Sequence, residues 1–260
     1  MKFAIIDNQR VEARPGLVGR CIGCEQPTVA KCGDVRTWHW AHKSKRQCDS
    51  WWENETEWHR AWKNRFPVQW QEIRHSASDG EWHVADVKTP DGWVFEFQHS
   101  HLEAVERHSR EEFYRSLIWI VDGRRRPRDL PGLEKSIARG NPLIPPSASD
   151  LRLEKPGGAL LRDWRGSAAH VFFDFGPGNR LVWLFPGSDE RRAYVSIVHR
   201  EYVIRLLTER GWRELESAIS RVSALISRLE PCPLTRSPQR PAPPPLPPGY
   251  LPPNRRGPRL

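Results

Sequence analysis

Long apolar runs are missing from this chain. No stretch approaches the ~20 apolar residues that span a bilayer, which excludes a helical membrane protein. A secretory signal is also missing. The first twenty residues carry Asp7, Arg10, Glu12 and Arg14, and their only apolar run is Phe3–Ile6. The chain is therefore expected to be soluble and cytoplasmic, with no membrane partner. Hydrophobic residues are scarce at 38%, yet there are 13 Trp, and a wholly disordered chain avoids aromatics. Internal repeats are absent. Cysteines are few and odd in number, at five, so a disulfide framework is not expected in a cytosolic chain. Acids are absent from residues 231–260, where half of the 24 prolines fall together with Arg236, Arg240, Arg255, Arg256 and Arg259.

That last absence locates the charge. The whole chain carries a formal +9, but residues 1–230 hold 36 bases against 32 acids, or +4. More than half of the excess sits on a segment that reads as extended polyproline II and cannot pack a core. A solvated, disordered tail is expected there. A Pro-rich docking motif and an electrostatic arm for nucleic acid are the sharper alternatives.

Between the ends the pattern is mixed α and β. KFAII and RVEA read as short strands around a turn at Asp7–Asn8. Residues 53–66 read as a helix, with Trp58, Trp62 and Phe66 four apart and Pro67 stopping it. Residues 68–73, 82–88 and 93–98 read as strands, the last two joined by TPDG as an antiparallel hairpin. Residues 101–115 read as a helix, and LIWIV at 117–121 as a buried strand. The run Arg124–Arg126 and the segment 141–150 read as a boundary. Beyond it, HVFFDF and RLVWLF flank GPGN as a hairpin. AYVSIV adds a strand, a helix starts near 199, and a last helix spans 212–229 with its apolar face toward the core or, as the alternative, a partner.

Two groups of residues carry chemistry. Four of the five cysteines lie within 28 residues, interleaved with histidines. A short Cys-x-x-Cys turn supplies two zinc ligands from one knuckle, as Cys21 and Cys24 do. His42 and Cys48 offer the second half of a closed, structural site. His39 can replace either, and Cys32 is left over. The second group is acidic. Glu55, His59 and Lys63 form one stripe of the first helix. On the hairpin, Asp86 and Glu96 converge across the turn, and Glu96, Gln98 and Ser100 share a face. Singly, Asp86 reads as a hairpin-end acid and Glu96 as a solvated strand position. Together they repel unless a cation sits between them, and Mg²⁺ or Mn²⁺ held by carboxylates and phosphate oxygens is the usual solution. Most of the tryptophans should be core. Trp38, Trp40, Trp51 and Trp52 would stack bases if exposed.

Asp-x(n)-Glu-x-Gln on a hairpin, preceded by a Glu-bearing helix, resembles the PD-(D/E)XK nuclease core, with Gln98 where Lys is usual. The wider stretch resembles the competence CoiA-like family. The resemblance runs from AIID and RVEA through CIGC, HWAH, ENETEWHRAWK, ADV, FEFQHS and ERHSREEFY to IWIVDG. It covers residues 1 to about 123. It implies that Asp86 and Glu96 ligate the metal with help from the Phe97 carbonyl, and that Glu55 completes the site. It further implies that Gln98 orients the attacking water and that His59 and Lys63 contact phosphate or support the site. Arg110 and Tyr114 are weaker substrate-contact candidates, and His83 has no firm role.

The expected organisation is a β/zinc-knuckle segment over 1–50 and a restriction-endonuclease-like α/β core over 51–125. A linker over 126–150, a C-terminal α+β region over 151–230 and the tail over 231–260 follow. The implied activity is metal-dependent hydrolysis of DNA, single- or double-stranded, in DNA processing such as competence or recombination. The alternatives are a nuclease-like fold that binds nucleic acid without cutting, and a module whose C-terminal region or Pro-rich tail docks a protein partner.

Overall fold

The computed structural model describes residues 1–44, 48–53, 55–143, 149–176, 178–208 and 212–229. The Pro/Arg-rich segment 231–260, with Cys232, lies outside them. So does Asn54 of the expected first helix.

The chain opens with a small antiparallel sheet. β1 (Phe3–Ile6) and β2 (Gln9–Glu12) form a hairpin, and Asp7 and Asn8 take positive φ of 48° and 60° in its turn. Such a turn matches the natural twist of the strands it joins. β3 (Val18–Arg20), β4 (Pro27–Lys31) and β5 (His39–His42) complete the order β2-β1-β3-β4-β5.

α1 spans Glu57–Lys63, shorter than the 53–66 expected from its apolar spacing. Thr56 sets its start: the residue is extended, and its hydroxyl accepts from the His59 backbone N–H at 3.2 Å. The strand expected at 68–73 begins instead as a 3-10 turn over Val68–Trp70, closed by Trp70 N–H to the Pro67 carbonyl. The strand proper, β6, is Gln71–Ser76.

Nine strands form the main sheet. After β6 come β7 (Trp82–Lys88), β8 (Val94–Gln98), the helix α2 (Ala104–Tyr114) and β9 (Leu117–Asp122). α2 is the crossover that lets β8 and β9 run parallel. Next come α3 (Asp129–Ile137), β10 (Asn141–Pro142), β11 (Asp150–Glu154) and α4 (Ala159–Trp164). The chain then returns as β12 (His170–Asp174), β13 (Arg180–Leu184) and β14 (Arg192–His199), and ends in α5 (Arg200–Thr208) and α6 (Trp212–Leu229). The strand order is β10-β11-β14-β13-β12-β9-β8-β7-β6.

This order differs from the expected separation at 126–150. β12 pairs in parallel with β9 from His170↔Ile118 to Asp174↔Asp122, so one hydrogen-bonded sheet runs across both halves. The expected linker carries α3, whose Leu133 is buried. The physical reason is β9 itself. Leu117, Trp119 and Val121 enter one apolar cluster, with Leu133, Leu160, Trp164 and Phe173, while Ile118 and Ile120 enter another, with Trp62, Phe97, Phe172 and Leu207. A strand that apolar needs cover on both faces and a neighbour on both edges. Elements on either side of the boundary supply them. In α6, Leu215, Ala218 and Val222 are buried, so that helix faces the core as its spacing predicts. No helix among the described residues is long and apolar enough to cross a membrane.

Candidate metal centres

The first centre forms at one edge of the small sheet. Cys21 follows β3, and the turn after it is closed by Glu25 N–H to the Cys21 carbonyl at 3.0 Å, with Glu25 at a φ of 61°. Gly23 stands so close to the indole of Trp82 that a Cβ there would fall 2.5 Å from the ring, so glycine is required. His42 ends β5, and Cys48 arrives from the following loop. Ligand atoms of Cys21, Cys24, His42 and Cys48 all lie within 4.8 Å of one another. Cys21 Sγ is 3.7 Å from Cys48 Sγ, and Cys24 Sγ is 3.3 Å from His42 Nε2. Zinc bonds of ordinary length give a tetrahedron with edges of about 3.5–3.8 Å, so the donor set fits zinc and can hold it. The Cys48 thiol, hydrogen-bonded to Cys21 and helped by the local backbone N–H groups, lowers Cys21 to about 5, while Cys48 itself is pushed up by Cys21. His39 is elsewhere, with Nδ1 2.9 Å from the Thr37 carbonyl, and Cys32 packs against the Ala4, Ala13 and Trp40 cluster.

Asp49, next to Cys48, ties this knuckle to the main sheet. One carboxylate oxygen accepts from Val84 N–H at 2.9 Å, and the other lies 2.8 Å from His83 Nδ1. His83 in turn stacks on Trp51, with ring centroids 3.2 Å apart. His83 thus has a defined place, as part of the joint between knuckle and sheet.

The second centre is a rung of acids across β6, β7 and β8. Backbone pairing joins Gln71↔Val87 and Ile73↔Ala85 on one side of β7, and Val87↔Phe95 on the other. Continuing both registers sets Glu72, Asp86 and Glu96 in line. Glu72 has a φ of 47°, a backbone strain that interrupts the β6–β7 ladder at this rung. Side chains replace the β7–β8 ladder there: Asp86 N–H donates to Glu96 Oε1 at 3.3 Å, and Phe97 N–H to Asp86 Oδ2 at 3.1 Å.

α1 faces this rung. Lys63 Nζ lies 3.1 Å from Glu55, 3.0 Å from Glu72 and 3.3 Å from Asp86. Burial opposes its charge, but the three carboxylates hold the Lys63 ammonium well above the usual lysine range. His59 Nε2 lies 2.8 Å from Asp86 Oδ1, within ion-pair distance, although neither buried ring nitrogen has a well-formed hydrogen bond among the described residues. Burial would raise Asp86, but His59 and Lys63 hold it well below the carboxylate range. Glu96 behaves in the opposite way. Burial, and then the charge of Asp86, push it well above that range, and Arg110 at 3.4 Å offsets this only in part.

Of the sequence candidates, Asp86, Glu96, His59, Lys63 and Gln98 line one cavity of about 320 Å³. Glu55 lines it too but is committed to cations. Arg60 lies 2.5 Å away and Lys63 3.1 Å, and despite burial these cations hold its carboxyl at about 2. The acid beside Gln98 is Glu53, which the sequence reading passed over. Gln98 Nε2 donates to Glu53 Oε2 at 2.9 Å, and His99 N–H to Glu53 Oε1 at 3.2 Å. Arg110 is spent on Glu96, Glu106 and the Trp51 carbonyl. Tyr114 lines the cavity with its ring against Trp51, Phe113 and His75. Glu72 was also missed. It accepts from the backbone N–H of Lys2 and Phe3, pinning β1 to β6. Cys21, His42 and Cys48 line the same cavity, so the two centres share a wall.

Residues 20–50 match the family model of the N-terminal domain of competence protein CoiA. The matched stretch contains all four thiol and imidazole ligands and stops before the acids. No curated protein and no solved structure matches the chain.

Proposed function

We propose that the chain is a divalent-metal-dependent phosphodiesterase that hydrolyses nucleic acid, DNA above all, in DNA processing such as competence or recombination. One observation carries the reading: Asp86 and Glu96 face each other across a hairpin whose ladder opens at that rung. Two buried carboxylates so placed call for a cation. The raised Glu96, beside the charge of Asp86, is what a site shaped for an additional positive centre leaves behind. The residues therefore fit Mg²⁺ or Mn²⁺. Asp86 and Glu96 would hold it with the Phe97 carbonyl, and its chemistry would be to neutralise charge on a phosphate and to make water more acidic.

The remaining roles belong to the chain. Gln98 positions water through its amide, which Glu53 and Ser100 hold in place. Lys63 and His59 keep Asp86 ionised. Arg110 fixes Glu96 from the far side. The zinc knuckle walls the cavity and holds β7 through Asp49. The match of residues 20–50 to the CoiA N-terminal domain supports the knuckle part of this reading.

The test is incubation of purified chain with labelled DNA and RNA in Mg²⁺ or Mn²⁺. Cleavage is expected, and Asp86→Asn or Glu96→Gln should each lower it on the order of 10²–10³-fold or more. Cleavage unchanged in both variants would assign it to a contaminant. A second reading, binding without cutting, is favoured by Lys63, which already places a cation among Glu55, Glu72 and Asp86. It predicts nucleic-acid affinity that falls with salt, is indifferent to divalent ions and comes with no cleavage.

A further inference from the structure

We infer that the cavity takes an unpaired strand, which reaches the acids by stacking a base on Trp52. This rests on the acid rung being the place where phosphate binds, and it deepens that reading by naming the substrate class.

Two observations carry it independently. The first is depth. The side chains of Asp86, Glu96 and His59 are 17%, 9% and 6% exposed. The ligands Cys21, His42 and Cys48 stand on the wall of the same cavity. A phosphate inside a duplex is flanked by the complementary strand and by stacked neighbours, which the cavity would have to admit before the phosphate reached carboxylates so buried. A single strand can enter edge-on.

The second observation is the approach to that cavity. Of the four tryptophans in this region, Trp40 is buried and Trp51 is stacked on His83, but Trp38 and Trp52 are 47% and 41% exposed. Trp52 forms part of the wall of the acid cavity and also of a neighbouring hollow of about 370 Å³. His39 and Glu55 are shared in the same way, so the two spaces adjoin. Trp52 thus stands where the hollow opens toward the acids. Glu55 on that approach is held by Arg60 and Lys63. An exposed indole beside it offers a stacking surface that unstacked bases can use and the paired bases of a duplex cannot.

The experiment uses the full zinc-loaded chain in Ca²⁺. The probes are a fluorescent oligothymidylate of about 16 nucleotides and a blunt duplex of the same length. The single strand should bind at least ~10-fold tighter. Trp52→Ala should weaken it ~10-fold or more, and Trp52→Tyr should restore most of the loss, since a ring remains to stack on. The duplex affinity should not respond. Equal or tighter binding of the duplex, or single-strand affinity unchanged in Trp52→Ala, overturns the inference. Parallel cleavage assays in Mg²⁺ separate the two ideas. Trp52-dependent binding with no cleavage of any probe sinks the nuclease reading and leaves this one standing. Equal cleavage of both probes, with the tryptophan variants unaffected, does the reverse.

Discussion

The two centres share a cavity but are built on opposite plans. In the knuckle, four thiol and imidazole ligands approach one another until 4.8 Å encloses them all. In the rung, hard acids are held apart and each is handed to a cation of the protein's own: Glu55 to Arg60, Glu72 and Asp86 to Lys63, Glu96 to Arg110. The first plan is able to close around an ion and keep it. The second keeps a partly satisfied acid pair at the bottom of an accessible space. Closure suits structure, and incomplete satisfaction suits exchange and chemistry.

The largest effect that would break this contrast is at the knuckle. Cys24→Ser should abolish zinc retention and cost on the order of several kcal/mol, because the ion's binding energy is folding energy there. Metal analysis and thermal unfolding of the same preparation check both halves. Retained zinc with an unchanged midpoint would show that the thiols do not form a structural site. Next is Lys63→Met, which leaves three buried carboxylates without their shared cation. A loss of about 3–5 kcal/mol is expected in urea unfolding, with zinc content intact. A loss below about 1 kcal/mol would show that Lys63 is not what separates the acids.

The smallest concerns pH. Glu55 is held at about 2 in the folded chain, below the ~4.3 of an unperturbed glutamate. A depressed carboxylate contributes stability above its unfolded value and loses it as pH falls toward its folded one. Stability should therefore drop between about pH 4.5 and 2, by on the order of 2–3 kcal/mol from this residue. Glu55→Gln should be less stable than the parent at pH 6 and converge on it near pH 2. Parallel curves across that range would remove Glu55 from the charge network.

Much of this was legible in the sequence, for physical reasons that differ by element. The knuckle could be read because its ligands are close in the chain and of a type that has few other uses. The hairpin could be read because TPDG fixes a register, and that register sets Asp86 against Glu96. β9 announced its burial through an unbroken apolar run. What could not be read depends on contacts made across the fold. Nothing local distinguishes Glu53, which meets Gln98, from Glu55 two residues later, which meets Arg60. Glu72 sits beside Gln71 in a strand between apolar neighbours, a weak sign of a buried polar anchor. The join of the two halves was hidden because the Pro-rich stretch near 141–150 resembles a boundary, whereas parallel pairing of β9 with β12 leaves no mark in either strand alone.

Asp174 shows what that join entails. It ends β12, and its carboxylate accepts the indole N–H of Trp58 and Trp62, both at 2.8 Å, and pairs with Arg200. Those tryptophans are the apolar face of α1, the helix that carries His59 and Lys63. The anchor of that helix lies more than a hundred residues downstream of the side chains it holds. On the ribosome, the acid hairpin and its neighbours emerge before this tie of α1 exists. Every residue that lines the cavity lies at or before Tyr114, yet the helix that carries two of them is fastened by a strand made later, so a chain interrupted before β12 carries every candidate ligand and lacks that fastening.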